Sequence, residues 1–106
     1  MDIIHVNKDS FDKVINQSEV IVDFWAPWCG PCKALSPIFE DVSKDYNDVV
    51  FGKCNVDDND TTPTECGIRN IPTILFYKDG KVKDRLVGSV SRQGLKDMID
   101  KIKKDS

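Results

Sequence analysis

Two cysteines separated by two residues, Cys29 and Cys32, are the residues of this chain best suited to chemistry. They follow an apolar run at residues 20–25 and open a segment of helical periodicity, so Cys29 falls where a strand ends and a helix begins. The unpaired N–H groups and positive dipole end of a helix stabilise a thiolate, which predicts a nucleophilic Cys29. Cys32 lies one turn further on the inward face, within disulfide reach, and should stay protonated longer. The pair therefore predicts thiol–disulfide exchange, with Cys29 as attacker and Cys32 as resolver.

Asp23 interrupts the apolar run six residues before Cys29. A solvated or salt-bridged carboxylate at a strand edge is one interpretation. The other is burial without a partner, which raises a carboxyl pKa and produces a group that exchanges protons near neutral pH. Lys53, in the next strand along the chain, is a candidate for a nearby cation. We favour the catalytic interpretation of Asp23, provided that the thiol pair is redox-active.

The two remaining cysteines, Cys54 and Cys66, bear on the alternative of a metal site. Cys-x-x-Cys is also half of a zinc knuckle, but Cys54 and Cys66 do not form a second such pair. A purely structural disulfide between Cys29 and Cys32 would constrain the unfolded chain little, because its loop is so short. We expect Cys54 to lie in the core and Cys66 to be a partly buried, inert thiol, with a regulatory or intermolecular role for Cys66 as the alternative.

The size and charge of the chain limit the function classes. Its 106 residues are predicted to form one domain, 1–106, and 40% apolar with 31% charged residues indicate a folded chain. A net charge of −3 with interspersed signs argues against a nucleic acid or an anionic membrane as partner. No apolar run approaches a membrane span, and the N-terminus lacks the features of a signal peptide. We therefore expect a cytoplasmic protein, unless the sequence is the mature part of an exported chain.

The elements that must position these residues follow from the hydrophobic pattern and predict the order β-α-β-α-β-α-β-β-α. Strands are predicted at residues 3–6, 20–25, 49–56, 73–78 and 81–87. Four helices are predicted. The first is capped by Ser10, and the second has Pro31 in its first turn and a kink at Pro37. The third opens with a capping box from Thr62 to Glu65 and ends at Gly67, and the fourth is capped by Ser91. Tyr46 is expected on the inward stripe of the second helix. Because Asp79-Gly80 forces an antiparallel pair while the helices permit parallel crossovers, we expect an α/β fold with a mixed central sheet and helices on both faces.

The segment Trp25-Ala26-Pro27-Trp28-Cys29-Gly30-Pro31-Cys32-Lys33 resembles the active-site signature of the thioredoxin family. The resemblance extends through the chain, at Asp23-Phe24-Trp25, Pro37, Lys53, Asp57, Gly67-Ile68-Arg69, Ile71-Pro72-Thr73, Gly80 and Gly88. It implies a thioredoxin fold, in which a mixed five-stranded sheet is flanked by four helices, and protein-disulfide reductase activity. Two positions depart from the family pattern: Asn70 stands where many relatives have Gly, and Asp60 stands where Pro is frequent.

The resemblance also implies roles for individual residues. Asp23 would accept the proton of Cys32, with Lys53 tuning it. A cis bond would precede Pro72, and the surface that docks an extended substrate would comprise Trp28, Gly30, Pro31, Ile71, Pro72 and Gly88. The resemblance implies no bound cofactor, only a redox-active Cys29–Cys32 disulfide that draws electrons from NADPH through a thioredoxin reductase. The expected partners are disulfide-containing proteins and that reductase, and the chain is expected to be a monomer.

Three other functions compete with this interpretation. A disulfide oxidase or isomerase would use the same chemistry, but the Gly30-Pro31 dipeptide belongs to the reducing branch of the family. A binding module would use the folded surface and leave the thiols incidental. A metal scaffold would use the thiols as ligands.

Overall fold

The predicted order of elements and the mixed sheet are confirmed. The computed structural model describes residues 3–58 and 62–104. Within them lie strands β1 (Ile4–His5), β2 (Glu19–Trp25), β3 (Val50–Asn55), β4 (Thr73–Lys78) and β5 (Lys81–Val87), and helices α1 (Phe11–Ile15), α2 (Gly30–Ser43), α3 (Thr62–Glu65) and α4 (Arg92–Lys104). The sheet has the order β1-β3-β2-β4-β5. β3 pairs in parallel with β1 and β2, whereas β4 is antiparallel to β2 and β5.

β2 is the central strand, and its alternating side chains feed two separate cores. Val20, Val22 and Phe24 join the core that α1 covers, and Ile21 joins the core that α2 and α4 cover. Because successive side chains of a strand point to opposite faces, Asp23 lies on the same face of β2 as Ile21. The acid is therefore directed towards the side of the sheet that carries α2, the helix that begins at the cysteines.

The second helix was predicted well at its start and less well at its end. Pro31 lies in the first turn, as expected, because a helix-starting N–H has no partner to lose. The helix continues through Pro37 to Ser43, and the kink expected at Pro37 stays a prediction. Tyr46 lies beyond the helix, so its placement on the helical stripe was wrong. Its hydroxyl donates to Asp100 of α4 at 2.8 Å, a tertiary contact that helical periodicity does not report.

Two predicted caps were tested by the hydrogen bonds. The prediction of a side-chain cap at Ser10 was wrong, because the Ser10 hydroxyl makes no capping bond to α1. Ser10 is bonded to Asn7 instead: its Oγ accepts from the Asn7 backbone N–H at 3.1 Å, and its own N–H donates to Asn7 Oδ1 at 3.0 Å. Ser91 caps α4 as expected, since its Oγ accepts from Gly94 N at 3.0 Å. The Thr62 side chain and Asp60 lie outside the described residues.

The turns are where the predictions were most accurate. Asp79 and Gly80 have φ of 53° and 83°, the pair of positive values that a two-residue hairpin turn requires. Gly67 ends α3 with φ of 70°. β1 is shorter than predicted, although Val6 N still donates to Lys53 O at 2.8 Å just after it. None of the described helices is long and apolar enough to span a membrane.

Candidate active site

The two cysteines of the signature form a disulfide at the start of α2. Cys29 is the N-cap residue of the helix, and its Cα lies 5.3 Å from that of Cys32. The Cys32 backbone N–H donates to Cys29 Sγ at 3.2 Å, so one unpaired helix donor already points at this sulfur. The same donor would stabilise a thiolate on Cys29 after reduction. The predicted strand–turn–helix position of the pair is therefore present.

The loop before β4 closes over the cysteines from the opposite side. The Ile71–Pro72 peptide bond is cis, as the resemblance implied, and Pro72 is buried. The Ile71 carbonyl oxygen lies 3.9 Å from Cys29 Sγ, which places a backbone acceptor beside the sulfur. Gly88, at φ of 86°, donates its N–H to the Pro72 carbonyl at 2.8 Å and joins the end of β5 to this loop. The structure thus brings Ile71, Pro72 and Gly88 to the cysteine end of the sheet.

Trp28 is the main exposed apolar group beside the disulfide. Its side chain is 68% exposed and does not pack into the core. The indole Nε1 donates to both carboxylate oxygens of Asp57, at 3.0 and 3.2 Å. Gly30 and Pro31 are also exposed. The bond between Trp28 and Asp57 was missed from the sequence, although the acidic loop after β3 ends at the same edge of the sheet.

Asp23 is a buried carboxyl in the middle of β2. It is 1% exposed, and neither carboxylate oxygen is hydrogen-bonded among the described residues. Burial raises its pKa from 3.8 to about 7, because water no longer stabilises the charged form, and the positive charge of Lys53 opposes that rise. The burial expected from the apolar run is therefore confirmed. The carboxyl is able to exchange a proton near neutral pH.

Lys53 lies beside Asp23, yet its hydrogen bond goes elsewhere. The two residues are register partners in the parallel pair of β2 and β3. Lys53 is 8% exposed, and its ammonium donates to Ser36 Oγ at 2.8 Å and lies 4.6 Å from the centroid of the Trp25 ring. Ser36 was missed from the sequence, where the only signal is its position one helical turn after Cys32 on α2.

The remaining two thiols lie on the other face of the sheet, in the core that α1 covers. Cys54 is fully buried, and burial raises its pKa to about 11. Cys66 is half-buried, as predicted, and burial likewise raises its pKa; its Sγ lies 3.8 Å from the Tyr77 hydroxyl oxygen. Both thiols are therefore protonated at neutral pH, the unreactive form of cysteine. Groups of three or more potential metal ligands are absent from the part of the chain that the structure describes.

Comparisons with known proteins agree with this geometry. The profile of the Thioredoxin family matches residues 2–101. A thioredoxin of Rickettsia conorii is 46% identical over 100 residues, which cover 92% of this chain and 95% of that protein. The thioredoxin of Haemophilus influenzae is 38% identical over 102 residues, covering 93% and 95%. The chloroplastic M-type thioredoxin of Pisum sativum is 43% identical over 99 residues, which cover 91% of this chain but only 58% of the pea protein.

A solved structure gives the same result for the fold. A chain from work on the thiol-resolving mechanism of yeast mitochondrial 1-Cys peroxiredoxin superposes with a TM-score of 0.86 at 31% identity, covering 94% of this chain and 95% of that one. Thioredoxins reduce protein disulfides by dithiol–disulfide exchange, carry no bound cofactor, and regain their dithiol from a thioredoxin reductase. With its disulfide at the start of α2 and its matches over nearly the whole length, the chain belongs to the thioredoxin family of thiol–disulfide oxidoreductases.

Proposed function

We propose that Cys29 is the attacking thiol and Cys32 the resolving thiol of this reductase. The observation that carries the proposal is the disulfide between them at the N-terminus of α2, with the Cys32 N–H directed at Cys29 Sγ. The Cys29 thiolate attacks one sulfur of a target disulfide, forms a mixed disulfide and releases the other target sulfur as a thiolate. Cys32 then attacks Cys29 Sγ, which forms the Cys29–Cys32 disulfide and releases the second target thiolate. Two electrons pass to the target disulfide, and the Cys29–Cys32 dithiol is oxidised to a disulfide.

Asp23 is the proton acceptor for Cys32 in this proposal. Cys32 must lose its proton before it attacks, and water has little access to this thiol because Cys32 is only 2% exposed. A carboxyl with a pKa of about 7 is close to the operating pH, where a general base is most effective. Lys53 tunes this carboxyl through its positive charge, since it is the register partner of Asp23 on β3.

The substrate docks on the surface formed by Trp28, Gly30, Pro31, Ile71, Pro72 and Gly88. The arrangement is supported by the exposed indole of Trp28 on one side of the disulfide and by the Ile71–Pro72 loop on the other. An extended segment of the target lies between them and takes its main-chain hydrogen bonds from Ile71. Disulfide-containing proteins with an accessible, unfolded segment are therefore the substrate class.

Regeneration uses electrons from NADPH through a flavin-containing thioredoxin reductase. We further propose that the chain acts as a cytoplasmic monomer and that residues 1–106 form one domain. The bacterial thioredoxins that it covers to 95% of their length support this size, although the pea relative is chloroplastic. Light scattering of the reduced protein tests the monomer, and consumption of NADPH with added thioredoxin reductase tests the electron source.

The roles of the two thiols are tested by serine variants in an insulin-reduction assay. Cys29→Ser should abolish reduction, because the thiol that attacks the target disulfide is absent. Cys32→Ser should still attack but should accumulate a mixed disulfide with the target, visible by mass spectrometry under non-reducing conditions. Cys66→Ser is the matched control and should retain activity. Full activity of the Cys29 variant would disprove the assignment.

The role of Asp23 is tested by the pH dependence of the resolving step. In Asp23→Asn, the release of target from the mixed disulfide should be slower at neutral pH and should lose the inflection near pH 7, because the acceptor with that pKa is absent. A stopped-flow measurement of release separates this step from the initial attack. An unchanged pH–rate profile would exclude Asp23 as the acceptor.

A further inference from the structure

Lys53 is a buried lysine whose ammonium is hydrogen-bonded to the hydroxyl of Ser36 and not to the carboxyl of Asp23. Its Nζ donates to Ser36 Oγ at 2.8 Å. The carboxyl of Asp23, its register partner on the neighbouring strand, has no hydrogen bond to either oxygen among the described residues. Lys53 forms no ion pair in the described ranges, 3–58 and 62–104, with Asp23 or any other acid. This arrangement is unexpected, because a buried acid beside a buried cation normally pairs with it.

Ser36 holds that ammonium through its hydroxyl. It lies on α2 four residues after Cys32, so the two side chains share one face of the helix. That helix packs on the face of the sheet to which Asp23 and Lys53 belong. The indole ring of Trp25, whose centroid lies 4.6 Å from Nζ, adds a second attraction on the ammonium. Ser36 and Trp25 together satisfy the ammonium without the acid.

How readily Asp23 accepts a proton depends on whether the Lys53 ammonium is hydrogen-bonded to Asp23 or to Ser36. A hydrogen-bonded cation favours the carboxylate and lowers a carboxyl pKa by about 1–3 units, which makes it a poor base at neutral pH. The present arrangement keeps only the through-space attraction of Lys53, which is the smaller effect on Asp23, and desolvation is the larger. Ser36 therefore affects the pKa of Asp23 indirectly, by fixing the position of the Lys53 ammonium.

Among the described residues, Lys53 is the charge that acts on the Asp23 carboxyl. Of the two register partners of Asp23 in the sheet, Lys53 of β3 is charged and Ile74 of β4 is apolar. Lys53 is accordingly the charge whose position matters.

We propose that Ser36 is a positioning residue that holds the Lys53 ammonium off Asp23 and so keeps the acid able to accept the proton of the resolving thiol. The inference rests on the proposed role of Asp23 in that step. It assigns to Ser36 no contact with substrate or with the reacting sulfurs.

The test is a titration of the Asp23 carboxyl carbon by ¹³C NMR in the oxidised protein, where Cys29 and Cys32 do not titrate. In Ser36→Ala, the ammonium loses its neutral acceptor and turns to Asp23, so the titration midpoint should fall by about one unit or more. Ser36→Thr keeps a hydroxyl at the same carbon and should restore the midpoint. Ser43→Ala is the matched control on the same helix, because the Ser43 hydroxyl donates only to Glu40 O of its own helix; its midpoint should equal that of the parent.

A double variant separates this effect from simple hydration of the site. With Lys53→Met in the background, Ser36→Ala should no longer move the midpoint, because the ammonium that transmits the effect is gone. An unchanged or raised midpoint in Ser36→Ala would overturn the proposal, and so would a fall that persists in the Lys53→Met background. The titration involves no turnover, so its result is independent of the release kinetics of Asp23→Asn. Failure of the proton-acceptor role is therefore distinguishable from failure of the Ser36 inference.

Discussion

Replacing Asp23 with asparagine should make the oxidised protein progressively more stable than the parent as the pH rises. The parent carboxyl has a pKa of about 7 in the folded state, against 3.8 in a solvated chain. Between these values the folded protein keeps a proton that the unfolded chain releases. The folded state therefore binds more protons, and its stability falls as the pH rises through this window. Below pH 3.8 both states are protonated, so the penalty is absent there.

The magnitude follows from the same two values. A difference of about 3.2 units at 1.36 kcal/mol each gives a penalty of about 4 kcal/mol when the carboxyl is fully ionised. Roughly 3 kcal/mol of this develops between pH 5 and pH 8.5. Little screening by solvent is expected, since Asp23 is buried. Burying the asparagine amide also costs free energy, but that cost does not depend on pH. It therefore cancels when the difference between variant and parent is compared at two pH values.

The assay is urea unfolding of parent and Asp23→Asn, both oxidised, at several pH values from about 5 to 8.5. The difference in free energy of unfolding between the two proteins should widen by about 3 kcal/mol across this range. Asp9→Asn, which removes an exposed carboxylate ahead of α1, is the control and should run parallel to the parent. A constant difference for Asp23→Asn would refute the argument that burial raises the pKa of this carboxyl.

Two further substitutions test contacts near the site and beneath it. Trp28→Phe keeps an aromatic ring but removes the donor to Asp57, so kcat/KM for a protein disulfide should fall by about 2–5-fold, as expected for losing a solvent-exposed hydrogen bond that orients the docking side chain; Asp57→Asn keeps an acceptor and should lose less, and parent-like kinetics for Trp28→Phe would argue against orientation by this bond. Gly52→Ala should lower the free energy of unfolding by about 1–3 kcal/mol in urea titrations, because its Cβ would stand 2.8 Å from Val6 Cγ2 between β1 and β2. Gly30→Ala is the matched control, since a Cβ there meets nothing within 4 Å, and equal stability of the two glycine variants would contradict the steric argument.

Local rules were sufficient for much of the fold. The Asp79-Gly80 turn, the helix start at Cys29 and Pro31, and the Ser91 cap depend on residues a few positions apart, and each has the predicted geometry. Ser10 shows the limit of such rules. Asn7, three residues earlier, donates its backbone N–H to Ser10 Oγ, so the hydroxyl is bonded in the preceding turn, and a cap pattern does not reveal such a competing donor.

The cis bond at Ile71–Pro72 illustrates a different limit. Energetics alone favour trans for an X-Pro bond, so the expectation of cis came only from the resemblance to the family. The proposed docking surface depends on this loop, because Ile71 lies beside Cys29, 42 positions earlier in the chain. The approach of two such distant segments is a property of the packed sheet.

By itself, the sequence determined the chemistry of this protein: a thiol pair on the first turn of a helix, an acid in an apolar strand, and the order of elements that brings them together. These are features of spacing and hydrophobic period, which act over one or two turns. Tertiary structure decided how Asp23 behaves. Its burial requires helix α2 to cover the sheet, and its neighbour Lys53 is held by Ser36, 17 residues away. The pKa of a carboxyl depends on surrounding solvent and charge, and both are set only when distant segments pack against each other.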